Sequence, residues 1–352
     1  MKRLVIAFGT RPQIIKLAPL YHELVSHTNI DLTLINSGQH YDPNMSSDLL
    51  YECGIPEPDY NLNIGGGSHA ENTGKLLIEF EKVYLKKRPD LIITFGDTDT
   101  TLAAALAGCK LQIPIAHIEA GLRSLNFGMP EEQNRILVDR ISSILFCPNN
   151  QAVENLQAEG IKDRVYNVGD VMCDAFNLFK PPIVSHNDRC TRVVVTLHRP
   201  STVDNEFLFR SILTQLNDLA QEYEVVLPIH PRIKDRLSSY EEFTGNIVFT
   251  EPLTYKTMVA LLCSASLVIT DSGGLQKDAY FAKVGCITLR TETEWTDLVE
   301  AGVNKLVPPT TDSLLKYANS MIGLDFSAVD SSIYGTGQAA INIVKKIQGF
   351  LK

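Results

Sequence analysis

Alternation constrains this chain more than any other feature. Short apolar runs that read as strands are each followed by helical periodicity, and the pattern repeats along most of the sequence. "RLVIAF" leads into a helix from about Ile14, "DLTLIN" into a short helix near Met45, "LIITF" into "TTLAAALAGC", and "IPIAHI" into "NRILVDRISS". Such an order yields a parallel sheet covered on both faces, because parallel neighbours need a crossover long enough to hold a helix. The rhythm breaks at Asn177–Asp188, "NLFKPPIVSHND", where paired prolines and polar residues mark a domain boundary. It restarts with "RVVVTLH", a helix from about Glu206 to Tyr223, "VVLPIHP", "NIVF", "LVITDSGG" and "CITLR". With 352 residues the chain exceeds what one core commonly serves. The expected organisation is two Rossmann-like α/β domains facing a cleft, 1–178 and 179–336, with a closing amphipathic helix at 337–352.

Composition narrows the function. A net charge of -9 argues against general nucleic-acid binding, which needs a basic surface, but leaves room for a small anionic ligand where cations gather locally. No apolar run is long enough to cross a bilayer, and a glycine and a proline end the run in "MKRLVIAFGTRP" before it resembles a signal peptide, so a cytoplasmic protein without a membrane partner is expected. The seven cysteines are scattered without a C-x-x-C pair and read as reduced, mostly buried thiols. The eight histidines form no H-x-x-x-H pair and the carboxylates have no coordination-like spacing, so no metal is expected.

Ligands of open α/β sheets bind outside the carboxyl ends of the strands, which makes polar motifs at those ends the candidates. "FGTRPQIIK" places Gly9, Thr10 and Arg11 after the first strand with Lys16 in the next helix. The group suits phosphate oxygens, and equally a tight turn with solvated cations. It is not the G-x-G-x-x-G fingerprint, which weakens a dinucleotide reading. "TFGDTDTTLAAALAG" puts Asp97 at a strand end, where by itself it reads as a helix N-cap. "HIEAGLRSLNFGMPEEQNR" gathers Glu119, Glu131, Glu132, Arg123 and Arg135 beside another strand end; taken alone it reads as a loop entering a helix whose early glutamates favour the dipole. "TLHRP" and "PIHPR" place His198/Arg199 and His230/Arg232 at successive strand ends of the second half. "VITDSGGLQKDA" is the most specific local signal: Ser272, Gly273 and Gly274 open a helix whose free N–H groups would suit a diphosphate, with Asp278 a turn further in where it could accept ribose hydroxyls, against the plainer reading of a Ser-capped helix with glycines for a turn. "IGGGSH", Ile64–His69, reads as a flexible loop.

Taken together, "FGTRPQIIKLAPL", "GQHYDPNM", "GDTDTTLAAALAG", "HIEAGLRS", "MPEEQNRILVDR", "TLHRP", "IHPR" and "TDSGGLQKDAYFAK" resemble the UDP-N-acetylglucosamine 2-epimerase family, in order and along nearly the whole chain. The resemblance implies a glycosyltransferase-B type fold, with the last helix packing back on the first domain. It implies a non-hydrolysing epimerase that interconverts UDP-GlcNAc and UDP-ManNAc by eliminating and re-adding UDP, as a homodimer supplying cell-surface polysaccharide precursors, without metal or other cofactor. Carried over by motif, Asp97, Glu119, Glu131 and His198 are the acid/base candidates, while Arg11, Lys16, His230, Ser272, Gly273, Gly274, Asp278 and Arg290 line the UDP site. Glu132 keeps its helix-end role.

Departures from the family pattern matter. "HRPST" stands for the common "HRREN", Trp295 stands where an arginine is frequent, and Asp278 replaces a glutamate. Gln39 and His40 persist, but Asp42 and Ser68 stand at positions tied to activation by a second UDP-GlcNAc, so turnover without an activator is expected. "RPQ", "GGGSHAENTG", "MPEEQNRILVDR" and "TEW" also resemble relatives acting on UDP-2,3-diacetamido-2,3-dideoxyglucuronate. A hydrolysing epimerase, a glycosyltransferase and a UDP-sugar-binding regulator are the competing readings.

Overall fold

A computed structural model of the chain describes residues 1–27, 29–39, 43–182, 191–237 and 245–352. His40 and Asp42 of "GQHYDPNM", and linker positions 183–190, lie outside the described residues. The chain divides into two compact units: Met1–Leu178 together with Ser331–Lys352, and Phe179–Asp330.

The first unit runs β1 (Lys2–Phe8), α1 (Arg11–Val25), β2 (Ile30–Asn36), α2 (Pro43–Glu52), β3 (Tyr60–Asn61), α3 (His69–Lys87), β4 (Leu91–Phe95), α4 (Asp99–Lys110), β5 (Ile115–Ile118), α5 (Pro130–Ile141), β6 (Ile144–Cys147), α6 (Asn150–Ala158), β7 (Val165–Asn167) and α7 (Val171–Phe179). Its strands form one parallel sheet in the order β3-β2-β1-β4-β5-β6-β7. β4, β5 and β6 are buried along their whole length, which is why they read as unbroken apolar runs. α1 starts at Arg11, ahead of the expected Ile14: the apolar periodicity begins at Ile14, but Pro12 near the N-terminus and the Gln13 carboxamide, which accepts the Thr10 N–H at 3.2 Å, start the helix a turn earlier.

The second unit runs β8 (Arg192–Thr196), α8 (Pro200–Val203), α9 (Glu206–Leu219), β9 (Glu224–Pro228), α10 (Pro231–Leu237), β10 (Val248–Thr250), α11 (Tyr255–Cys263), β11 (Leu267–Thr270), α12 (Gly273–Phe281), β12 (Gly285–Thr288), α13 (Thr296–Glu300), β13 (Asn304–Leu306) and α14 (Leu314–Met321). Its parallel sheet has the order β10-β9-β8-β11-β12-β13. Val193, Val195, Ile269 and Ile287 from the strands pack with Phe209, Leu213 and Leu216 of α9 in a single core. α9 ends at Leu219, short of the expected Tyr223. In each unit the strand order reverses once, between β1 and β4 and between β8 and β11; such switch points open a crevice at the strand ends.

α15 (Ala339–Phe350) belongs to the first unit and packs against α1. The chain rejoins that unit at Ser331, earlier than 337, because Gly169 and Gly335 let two backbones meet and the Asp170 N–H donates to the Tyr334 carbonyl at 2.9 Å. The Asp174 carboxylate then accepts the N–H groups of Ala339 at 3.1 Å and Ala340 at 3.0 Å, capping α15 from a remote helix. No helix among the described residues is long and apolar enough to cross a membrane.

Asp174→Ala strands two buried donors. It should lower unfolding free energy by about 1–3 kcal/mol in urea titrations and speed amide exchange in α15; unchanged exchange there would show that the carboxylate does not hold the helix.

Candidate active site

Three strand ends of the first unit meet at its switch point. The Gln13 side chain ties two of them together: its carbonyl oxygen accepts Gly9 N–H at 2.8 Å, and its amide donates to the Phe95 carbonyl at 2.9 Å and to the Thr98 and Thr101 hydroxyls at 3.1 and 3.0 Å. The space a Cβ on Gly9 would need is filled by the Ser37 hydroxyl, so that glycine serves packing. After β4, Gly96 adopts φ +63, and after β5, Glu119 adopts φ +68, a left-handed conformation costly for a residue with a side chain. Glu119 Oε2 would lie 3.3 Å from a Cβ on Gly96, so the carboxylate lies against that glycine.

Four charged groups collect there. Lys16 pairs with Glu119, and Arg135 of α5 pairs with Asp97. About a third of the Asp97 side chain, 31 %, stays accessible, while the Lys16, Glu119 and Arg135 side chains are nearly covered. Withdrawal from bulk water raises the proton affinity of Asp97 above the ordinary aspartate range, and the Glu119 carboxylate adds to the rise; Arg135 and Lys16 oppose it.

A buried scaffold fixes this cluster. His117, on β5, sends Nε2 to the Gly96 carbonyl at 2.7 Å and Nδ1 to Asp139 at 2.8 Å. Asp139 also accepts the Gly121 N–H at 3.1 Å and an Arg123 N–H at 2.8 Å, and Arg123 forks onto Glu159 at 2.6 and 2.9 Å. Glu132 has more than the helix-end role expected of it. It is fully buried, and its carboxylate accepts the N–H groups of Ser124 and Leu125 at 2.9 and 3.0 Å, the Ser124 hydroxyl at 3.0 Å and Arg135 at 3.0 Å. Glu131 is exposed in the first turn of α5, four residues before Arg135 and so on the same helix face; no hydrogen bond or ion pair engages it among the described residues.

In the second unit the loops after β8, β9 and β11 lie together. Buried Asp271 accepts the His198 and Arg199 N–H groups at 3.0 and 2.9 Å and faces His198 Nδ1 at 3.0 Å; the rings of His198 and His230 are 5.5 Å apart. Ser272 stands at the N-cap of α12 without a side-chain capping bond, so the first-turn N–H groups are not consumed by it. A Cβ on Gly274 would meet nothing within 4 Å, whereas one on Gly273 would meet Glu294 at 2.4 Å. Arg290 donates to that same Glu294 at 3.1 Å. Trp295 donates its indole N–H to the Gly273 carbonyl at 3.0 Å, under the Lys277 ammonium at 4.0 Å. Asp278 is buried and accepts the Tyr255 hydroxyl at 3.1 Å, so the carboxylate expected to meet ribose already serves the fold with one oxygen.

The sequence-named residues therefore fall into two groups. Lys16, Asp97 and Glu119 assemble in the first unit, with Arg11 at the start of α1; His198, His230, Ser272, Gly273, Gly274, Asp278 and Arg290 surround the strand ends of the second. Lys16, expected on UDP, is engaged with Glu119. Gln13, Arg135 and Asp271 escaped notice as site residues, although T-x-x-Q spelled a helix start and Arg135 follows Glu131 at helical spacing. The glycine loop at 65–67 is not loose. A Cβ on Gly65 would lie 2.8 Å from the Gly38 and Gln39 carbonyls, Asn72 bonds Gly67 on both sides, and the Ser68 hydroxyl caps α3 through the Glu71 N–H.

Comparison with known proteins gives a consistent picture. The family model described as UDP-N-acetylglucosamine 2-epimerase matches residues 22–348. A UDP-2,3-diacetamido-2,3-dideoxy-D-glucuronate 2-epimerase of Pseudomonas aeruginosa is 41 % identical, covering 98 % of this chain and 99 % of its own. A UDP-N-acetylglucosamine 2-epimerase of Methanocaldococcus jannaschii is also 41 % identical, over 97 % and 98 %. A crystal structure of the M. jannaschii enzyme with UDP-GlcNAc and UDP superposes with a TM-score of 0.86 at 39 % identity, covering 99 % of this chain and all of the other.

The charge arrangement predicts opposed titration shifts. Arg135→Gln removes a cation beside Asp97 and should raise its pKa further, while Glu119→Gln removes an anion and should lower it, as read in carboxyl 13C titrations. Shifts of one sign in both variants would refute the arrangement.

Proposed function

Because the chain belongs to the UDP-N-acetylglucosamine 2-epimerase family, we propose that it is a non-hydrolysing isomerase that inverts C2 of a UDP-linked N-acetyl sugar, converting UDP-GlcNAc to UDP-ManNAc. The observation that carries the reading is the cluster of Asp97 and Glu119 with Arg135 and Lys16 at the first unit's switch point. The C2–H bond of such a sugar is weakly acidic. The route that spares a free carbanion is elimination: a base takes the C2 proton, that electron pair forms the C1–C2 double bond, and the C1–O bond breaks with its pair leaving on UDP. Re-addition of UDP to C1 with a proton delivered to the opposite face of C2 completes inversion. A carboxylate of raised proton affinity suits a group that must both take and return a proton.

In this proposal Asp97, Glu119 and Glu131 handle the proton as a coupled set, with His198 as the further acid/base. Glu131 is open to a ligand one helical turn from Arg135. Arg11 and, in the second unit, the first-turn N–H groups at Ser272–Gly274 with His230, Arg290 and Asp278 bind UDP. Lys16 serves chiefly as the partner of Glu119. The glycosyltransferase-B type of fold, the homodimer, the cytoplasmic location and the supply of cell-surface polysaccharide precursors complete the same proposal. A second substrate, UDP-2,3-diacetamido-2,3-dideoxyglucuronate, is favoured by the 41 % identity to the P. aeruginosa relative.

Incubation with each UDP-sugar in deuterated water should place deuterium at C2 of both epimers, with kcat/KM at least about tenfold higher for UDP-GlcNAc. UDP-ManNAc should be converted without added UDP-GlcNAc, because Ser68 offers one neutral hydroxyl, already used as a helix cap. A preference for the uronate would select the second substrate; an acceptor requirement without C2 exchange would select a glycosyltransferase, and free amino sugar with UDP the hydrolysing reaction.

Asp97→Asn, Glu119→Gln and Glu131→Gln should each lower kcat on the order of a hundredfold or more while UDP binding, measured by calorimetry, changes little. Full turnover in all three would sink the assignment.

A further inference from the structure

We propose that Asp271 is a positioning residue that fixes the tautomer of His198, and that His198 and His230 thereby form an opposed pair: one ring presents an acceptor nitrogen, the other a donor. The proposal rests on the epimerase reading for its use but not for its geometry. Asp271 is wholly buried at the end of β11, beside the switch point of the second unit. Its two oxygens accept the His198 N–H at 3.1 and 3.0 Å and the Arg199 N–H at 2.9 Å, which pins the backbone on which the His198 ring is mounted. A carboxylate that already takes three such contacts can only accept from Nδ1 at 3.0 Å, so the last proton of the His198 ring resides on Nδ1. Nε2 is then the atom that takes up and gives back a proton, and Asp271 offsets the positive charge that forms when it does.

His230 is set the other way. Its Nδ1 accepts the Arg232 N–H at 3.2 Å, and a backbone N–H can only donate, so the last ring proton of His230 resides on Nε2. The two rings, 5.5 Å apart on neighbouring strand ends, are thus assigned different work by their backbones. His198 moves a proton; His230 donates a hydrogen bond, as a diphosphate oxygen requires. The local sequence carries the same division: Asp271 lies 73 positions from His198 and reaches it through the β8–β11 pairing, whereas the donor to His230 comes from two residues along its own turn.

The test is a 15N titration of histidine-labelled wild-type protein without substrate, with His198→Gln and His230→Gln used to assign the resonances. As pH rises, the ring at 198 should lose its Nε2 proton and the ring at 230 its Nδ1 proton; the opposite site of loss at either ring overturns the proposal. A kinetic cycle adds a readout that plain structural support would not give. Asp271→Asn should lower kcat tenfold or more with KM changed less, and should cost nothing further, within about twofold, in the His198→Gln background. Losses that multiply would place the effect of Asp271 elsewhere than on His198. The tautomers are read without turnover, so their failure leaves the epimerase reading intact, and a chain with no epimerase activity would still display them.

Discussion

A buried imidazole and a buried carboxylate, His117 and Asp139, hold the polar part of the first unit in place. His117 reaches from β5 to the carbonyl of Gly96 at the end of β4, and Asp139 reaches from α5 to His117, to Gly121 and to Arg123. The strand ends that carry Asp97 and Glu119 are therefore locked to each other and to the helix that carries Arg135. Removing one member of such a set leaves a buried charge or polar atom without its partner, a loss of about 3–5 kcal/mol. The left-handed backbone at Glu119 persists because this network over-determines it.

The same device recurs. Glu132 gathers the N–H groups of Ser124 and Leu125, Asp271 those of His198 and Arg199, and Asp174 those of Ala339 and Ala340. An acidic chain thus spends part of its excess charge internally, as acceptors that collect loop donors at strand ends and at one helix start. Each clamp ties down a connection, and the one at Asp271 fixes the backbone that carries His198. The net charge of -9 is for this reason a poor guide to the electrostatics of the site itself.

The alternation of strands and helices was legible because its periods are local: two or four residues decide which face is buried. Contacts between distant segments were not. Arg135 is visible as a basic residue on the Glu131 face of α5, but its partner Asp97 lies 38 positions away on another strand end. His117 is hidden in an apolar run, although it is the polar centre of the unit. Trp295 reads in sequence as the loss of an arginine; in the fold its indole bonds the Gly273 carbonyl and carries Lys277 on its face, which supports the glycine turn from beneath. The resemblance to the family could single out candidate carboxylates because motif order survives where pairwise contacts are invisible. It could not reveal that Asp278 already accepts a tyrosine hydroxyl, or that the glycines at 65–67 are packed.

The partition of Arg135 between two acids bears directly on how a proton could move. One side of its guanidinium holds Glu132, which is fully buried and bonded on every side; the other holds Asp97, which remains partly accessible. When Asp97 takes a proton, Arg135 keeps Glu132, so no buried cation is left alone. The cost that ordinarily makes a buried ion pair resist protonation is thereby reduced at the one member that a ligand can reach. Lys16 pairs with Glu119 and also lowers the proton affinity of Asp97, so both cations act on Asp97. The two carboxylates are alike in chemistry but differ in surroundings: Asp97 is partly open and shares its arginine with Glu132, while Glu119 is nearly covered. Asp97 is the carboxylate of the pair that a ligand can reach, and Glu119 is one of the charges that hold its proton affinity up.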